Sequence, residues 1–201
     1  MLKLGEKGTI LQRDKETYAI APHIPCGVTT PEQLRTIADV AEKYQCQALK
    51  LTSAARIAIV GIREEDVDAV WADLNMSPGH AVGLCVRSIK ACPGTQYCRL
   101  GLQDSLAMGI KLDEKFHGYE LPGKMKMGVS GCTNMCAENC IKDISLFGKK
   151  KGWTVMAGGI GTKKARLADV VAEDLDAPEA LRMIERIIDF YAQVPDRAVE
   201  L

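Results

Sequence analysis

Residues 91–98, ACPGTQYC, and residues 130–136, SGCTNMC, are the stretches on which the fold turns. They set two cysteine doublets, Cys92-x5-Cys98 and Cys132-x3-Cys136, apart by a segment long enough to hold a helix and a strand. Four thiolates so placed could hold a cuboidal iron-sulfur cluster, because each corner iron accepts one soft, charge-donating ligand. The x5 spacing of the first doublet departs from the C-x2-C to C-x4-C of structural zinc, and neither the C-x2-C-x2-C of bacterial ferredoxins nor the C-x-x-C of thioredoxin-like sites occurs.

Outward from the doublets, the pattern places both at strand ends. AVGLCVRSI (81–89) reads as an apolar strand feeding the first doublet through a turn with Pro93 and Gly94. A helix is expected through LGLQDSLAMGIKL (100–112), and strands over KMKMGVSG (124–131) and ISLFG (144–148) flank the second doublet. GWTVMAGGIGTKK (152–164) is a further strand running into a glycine turn. In the tail, Asp176 and Glu179 form a capping pair, and Leu181, Ile184, Ile187, Ile188 and Tyr191 mark a long amphipathic helix.

Upstream, TYAIAPHI (17–24) reads as a strand. The helix over TTPEQLRTIADVAEKY (29–44) starts with Thr30 as N-cap, Pro31 at the first helical position and Gln33 closing a capping box. Leu34, Ile37, Ala38 and Ala41 are its expected buried face. Strands over ALKLTS and RIAIVGI and a helix over REEDVDAVWADL, with Val67, Val70, Trp71 and Leu74 on one stripe, complete a β-α-β-β-α unit of ferredoxin-like type. NMSPGH (75–80) is the candidate junction. The expected class is therefore α+β, with a ferredoxin-like lobe over residues 1–78 and an α/β lobe over 79–201.

With 201 residues, 47% of them hydrophobic, the chain can bury a core as one unit or two small lobes. Lysine plus arginine balances aspartate plus glutamate, 26 against 26, so no net field draws it to nucleic acid or an anionic membrane. Apolar runs such as ARIAIVGI fall far short of the ~20 residues that span a bilayer, and the N-terminus lacks a signal-peptide core. A soluble, cytoplasmic protein is expected. In that compartment eight cysteines read as metal ligands and buried thiols rather than disulfides.

The stretch PGKMKMGVSGCTNMCAENCIKDISLFGK (122–149), preceded by VRSIKACPGTQYC (86–98) and followed by a strand ending in Gly-Gly, resembles the sirohaem and 4Fe-4S region of sulfite and nitrite reductases. IPCGVTTPEQLRTIADVAEKYQCQALKLTS (24–53) is similar to the ferredoxin-like half-domain of the same family. The resemblance covers nearly the whole chain. It implies a 4Fe-4S cluster on Cys92, Cys98, Cys132 and Cys136, with the Cys136 thiolate also serving as axial ligand to a sirohaem iron. For the carboxylates of sirohaem it points to Lys50, Thr52 and Arg56 in KLTSAAR, to Lys163 and Lys164, and to the turn of Gly158, Gly159 and Gly161, whose amides could cradle anionic groups. That turn lacks the third glycine of a dinucleotide fingerprint, since Lys164 stands there. Lys149, Lys150 and Lys151 read as solvated surface.

Family members read an anionic substrate with two arginines and a Lys-x-Lys pair. Lys124 and Lys126 match the pair and Arg87 one arginine; His23 stands at the other arginine position, a weaker permanent charge but a proton donor near neutral pH. The activity implied is the six-electron reduction of sulfite to sulfide, with nitrite reduction as the closest variant and a non-catalytic or cluster-only electron carrier as the other class. Family members carry two copies of this unit and this chain has one, which implies a homodimer. The absence of flavin and nicotinamide fingerprints implies a separate, ferredoxin-like donor. Of the remaining cysteines, Cys26, Cys46, Cys85 and Cys140, Cys46 and Cys85 read as buried reduced thiols. Cys140, four residues beyond Cys136, is an alternative ligand if the segment is helical.

Overall fold

The computed structural model describes residues 1–194; residues 195–201 of the expected second lobe lie outside the described residues. The chain divides into two compact units, residues 1–83 and residues 84 onward.

The first unit carries β1 (Thr9–Leu11), β2 (Thr17–Ile20), α1 (Pro31–Lys43), β3 (Ala48–Leu51), β4 (Ile57–Arg63) and α2 (Val67–Leu74). The four strands form an antiparallel sheet in the order β1-β2-β4-β3. Helix α1 begins as its sequence dictates: the Thr30 hydroxyl accepts the Gln33 N–H, and the Gln33 side chain takes the Thr30 N–H in return. Its buried stripe is Ile37 and Val40, with Ala41 and Tyr44 packed beside them against Ile20, Ile59, Ile62, Val67, Val70 and Leu74. Leu34, expected on that face, is 44% exposed because it sits in the first turn, where the stripe runs out of the core. Gly61 (φ +93) is the extra residue where the β2–β4 register shifts; a Cβ there would fall 2.6 Å from Gln47 Cγ. Strand β1, three residues flanked by polar segments, carries no period long enough to be read from sequence.

The second unit carries β5 (Val86–Ala91), α3 (Gly94–Tyr97), α4 (Ser105–Phe116), β6 (Met125–Ser130), β7 (Ile144–Lys149), β8 (Gly152–Ala157), β9 (Asp169–Leu175) and α5 (Ala177–Ala192). Its sheet runs β5-β6-β7-β8-β9, parallel across β5, β6 and β7 and antiparallel thereafter. Parallel neighbours need a crossover, and α4 supplies it between β5 and β6. The Asp104 carboxylate caps α4 by accepting the Ala107 N–H at 3.0 Å. The core strands β6 to β8 are buried almost end to end, as a sheet covered on both faces requires. Helix α5 starts with the expected capping box of Asp176 and Glu179 and buries Ala180, Ile184, Ile188 and Tyr191. Strand β9 has no sequence signature: its side chains, Val170 and Val171 included, are largely exposed, and backbone pairing to β8 alone makes it a strand. Among the described residues no helix is long and apolar enough to cross a membrane.

Candidate iron-sulfur and anion site

Because β5 and β6 are parallel and Ala91 pairs with Val129, both strands release the chain at the same end. The Cys92 N–H extends the ladder by donating to Val129 O at 3.0 Å, and the Gly131 N–H donates to Cys92 Sγ at 3.2 Å. Ser105 Oγ donates to Cys92 O at 2.8 Å and lies 3.2 Å from Cys92 Sγ. Cys98 closes α3, its N–H on Gly94 O, and Leu102 and Gln103 donate to Gly131 O at 2.8 and 3.0 Å. Three backbones thus stack with no room for side chains. A Cβ on Gly131 would lie 2.8 Å from Gly94 Cα, and one on Gly101 2.6 Å from Gly94 C. The glycines bring the two doublets together, a contact that local sequence does not announce.

The second doublet lies in a loop rather than a helix. Met135 (φ 49) and Glu138 (φ 62) are left-handed, and only Asn139–Ile141 forms a short 3-10 turn. Cys132, Cys136 and Cys140 therefore do not share a helical face. That removes the argument by which Cys140 could replace a ligand; its Sγ lies 3.4 Å from Met135 Sδ instead. Glu138 bridges Lys142 Nζ at 2.8 Å and Lys90 Nζ at 2.9 Å, which ties the loop to the end of β5. The two ammonium groups, Lys142 first, hold its carboxyl down to about 2.

None of the eight cysteines is in a disulfide. Among the described residues no three His, Cys, Asp or Glu side chains converge as a cage for a single metal ion. A cuboidal cluster does not need one, since each thiolate binds a different iron. The donor set fits such a cluster: four thiols on two adjoining loops, Cys136 exposed, and an N–H aimed at Cys92 sulfur of the kind that stabilises a thiolate.

At the other end of the same strand pair stand the expected anion readers of this unit. The β5–β6 register shifts between Val86 and Ser88, so Arg87 occupies the bulge, beside the Val86–Met125 and Ser88–Lys126 pairs. Lys124 and Lys126 are exposed on either side of buried Met125, as the KMK alternation requires, and the Lys126 N–H is held by Asp143 Oδ2 at 2.8 Å.

The glycine turn differs from its expected role. The Gly158 N–H donates to Asp143 O, the Gly159 N–H to Lys142 O and the Ile160 N–H to Arg166 O, so these amides are not presented to an anion. What Gly159 supplies is room, since a Cβ there would lie 2.5 Å from Lys142 O. Gly161, Lys163 and Lys164 follow on an exposed segment.

In the first unit, Thr52 shapes a tight turn: its N–H donates to Arg56 O at 2.9 Å and its hydroxyl accepts the Arg56 N–H at 3.2 Å. Lys50 is exposed with Nζ on Leu51 O. Arg56 is only 5% exposed and runs beneath Gly79, where a Cβ would meet its Nε at 3.1 Å. The segment from Ala21 to His23 pairs with Ser77 and Gly79, bringing His23 into the same neighbourhood. Burial, then Arg56 and His23, push the His80 imidazole below its usual range. His80 joins Arg56 and His23 through this pairing alone, and nothing in the local sequence around it signals that.

A ferredoxin-like half-domain, followed in the chain by a unit whose parallel strand pair carries four cysteines at one end and three basic residues at the other, is the arrangement expected of an iron-sulfur redox protein. The model of the nitrite and sulphite reductase 4Fe-4S domain matches residues 82–200, and that of the nitrite/sulfite reductase ferredoxin-like half domain matches residues 10–77. The chain belongs to the nitrite and sulphite reductase family. It is 46% identical over 185 residues to an assimilatory-type sulfite reductase of Nitratidesulfovibrio vulgaris, covering 92% of this chain and 85% of that one. It is 40% identical over 183 residues to an NAD(P)H nitrite reductase of Bacillus subtilis, covering 91% of this chain but 23% of that longer protein. The fold is shared with the solved structure of the Mycobacterium tuberculosis NirA protein, at a TM-score of 0.80 and 17% identity, over 92% of this chain and 36% of that one.

Proposed function

We propose that this protein reduces sulfite to sulfide with six electrons from a separate donor, and that Cys92, Cys98, Cys132 and Cys136 would hold a 4Fe-4S cluster, with Cys136 also the residue that would hold a sirohaem beside it. The observation that carries the reading is the meeting of the two doublets at the ends of β5 and β6, with a backbone N–H on Cys92 sulfur. The likeness to a sulfite reductase over most of both chains favours sulfite, and the nitrite reductase relative makes nitrite the second substrate.

When bound, the two groups supply single electrons and an open iron position for the anion. The chain supplies the rest. Arg87, Lys124 and Lys126 hold the anion's oxygens and stabilise the charge on them as each departs as water. His23 and the lysines deliver the protons that this requires. Lys50 and Arg56 in the first unit, and Lys163 and Lys164 in the second, are the cations that would offset the carboxylates of such a macrocycle.

Lys126, the second residue of β6, and Ser130, its last, are roughly 13 Å apart at ~3.3 Å per residue. That separation supports a homodimer in which Arg87, Lys124 and Lys126 of one copy would serve the site that Cys136 of the other would build. A ferredoxin-like protein in the cytoplasm suits as donor.

The test is protein purified without oxygen from cells that make sirohaem, assayed for iron, sulfide and tetrapyrrole and for turnover of sulfite and nitrite. About five irons per chain, four in the cluster and one in the ring, with sulfite turnover is the expected result. An iron-free or tetrapyrrole-free protein overturns the reading. Full activity in a species that sediments as a monomer overturns the shared site alone.

A further inference from the structure

The loop that carries Cys132 and Cys136 leaves β6 at Ser130 and rejoins the sheet at Ile144, and one side chain spans its base. Asn139 is wholly buried. Its amide nitrogen donates to Gly128 O of β6 at 3.2 Å and to Leu146 O of β7 at 2.5 Å. Its Oδ1 accepts the hydroxyl of Ser130, itself 1% exposed, at 2.6 Å. Ser130 Oγ in turn accepts the Ala137 N–H at 3.0 Å, and Ser145 donates to Asn139 O at 3.0 Å. The relay runs from the residue after Cys136, through the last residue of β6, into the carbonyls of two neighbouring strands.

We propose that Asn139, acting with Ser130, is the positioning residue that fixes the Cys132–Cys136 loop against the sheet and so sets the electronic properties of the cluster. An Asn amide offers two N–H donors and an acceptor on one rigid plane, which this position uses in full; no other short side chain satisfies two carbonyls and a hydroxyl together. The backbone around it leaves no slack. A Cβ on Gly128 would lie 2.8 Å from Ala137 O, and the Cys140 and Lys142 carbonyls are closed off by Gly159. With the loop clamped from both sides, the relay decides where residues 136 and 137 sit relative to β6. Hydrogen bonding around cluster ligands is one of the levers on reduction potential, so a shift of this loop reaches the metal electronically.

The inference rests on Cys132 and Cys136 being cluster ligands. The experiment compares wild type with Asn139→Ala, Ser130→Ala and, as a control, Thr154→Ala, which removes a wholly buried hydroxyl from β8. Each is purified without oxygen and measured for iron content, circular dichroism, electron paramagnetic resonance of the reduced cluster and midpoint potential. The expected result is a changed resonance and a shifted potential, or lost iron in a folded protein, for Asn139→Ala and Ser130→Ala. Thr154→Ala should retain the wild-type signal. If Asn139→Ala does not fold, Ser130→Ala decides, because it leaves both amide donors of Asn139 in place. Spectra and potentials of folded, iron-loaded variants that superimpose on wild type overturn the proposal while leaving the ligand reading intact. A wild-type protein without iron overturns both.

Discussion

Lys126 shows how a single position divides between backbone and side chain. Its N–H is held by Asp143 whatever the side chain, while its ammonium stands exposed beside the Arg87 bulge. Lys126→Met should therefore change stability by no more than about 0.5 kcal/mol and lower sulfite turnover on the order of 10²-fold. Thermal melts and steady-state assays on cofactor-loaded protein check both halves, and an unaffected rate would remove this lysine from the mechanism. Gly131 is the converse case. Gly131→Ala would drive a Cβ to 2.7 Å from Gln103 O and 2.8 Å from Gly94 Cα. The expected cost is about 1–3 kcal/mol, with lower iron content, read by melting and metal analysis. The cysteine doublets stand out in the sequence by their spacing, whereas the glycine stack that joins them is a contact between three segments and has no local signature.

At the scale of elements, helix starts were the best read features of the chain. Thr30 with Gln33 and Asp176 with Glu179 form the capping boxes their spacing announces, because a cap is a contact over three residues and needs nothing distant. Asp176→Ala should remove the Glu179 N–H contact and cost about 1 kcal/mol, seen as a lower melting temperature with unchanged circular dichroism at low temperature. The loop from Cys132 to Cys140 was the least legible element. Cysteines every four residues suggest a helical face, but left-handed residues at Met135 and Glu138 and the clamp of Glu138 on Lys90 and Lys142 hold it irregular. Strands β1 and β9 escaped for another reason: each is defined by its partner's hydrogen bonds rather than by a pattern of its own.

For the whole molecule, the acid limb of stability in the first unit should carry the signature of Asp73. Lys43 at 2.6 Å and the Tyr44 hydroxyl at 2.7 Å hold this carboxyl below its usual range. A group depressed in the folded state contributes above the unfolded pKa of about 3.9. That contribution is lost as the pH falls through the lower folded value. Asp73→Asn should therefore be less stable than wild type at neutral pH, and the difference should shrink below about pH 4. Both partners face solvent, so the effect is small and weakens with salt. Denaturant melts at several pH values check it, and a difference that grows on acidification would contradict it.

The sequence alone determined the order of most elements, the two principal capping boxes and the alternation that exposes Lys124 and Lys126, because each rests on contacts within a few residues or on a strict period. Tertiary structure alone decided that the Gly158 and Gly159 amides are spent on Asp143 and Lys142, that Arg56, His23 and His80 are neighbours, and that Asn139 bridges two strands. Those contacts join segments up to tens of residues apart, and only the packed backbone sets which donor meets which acceptor.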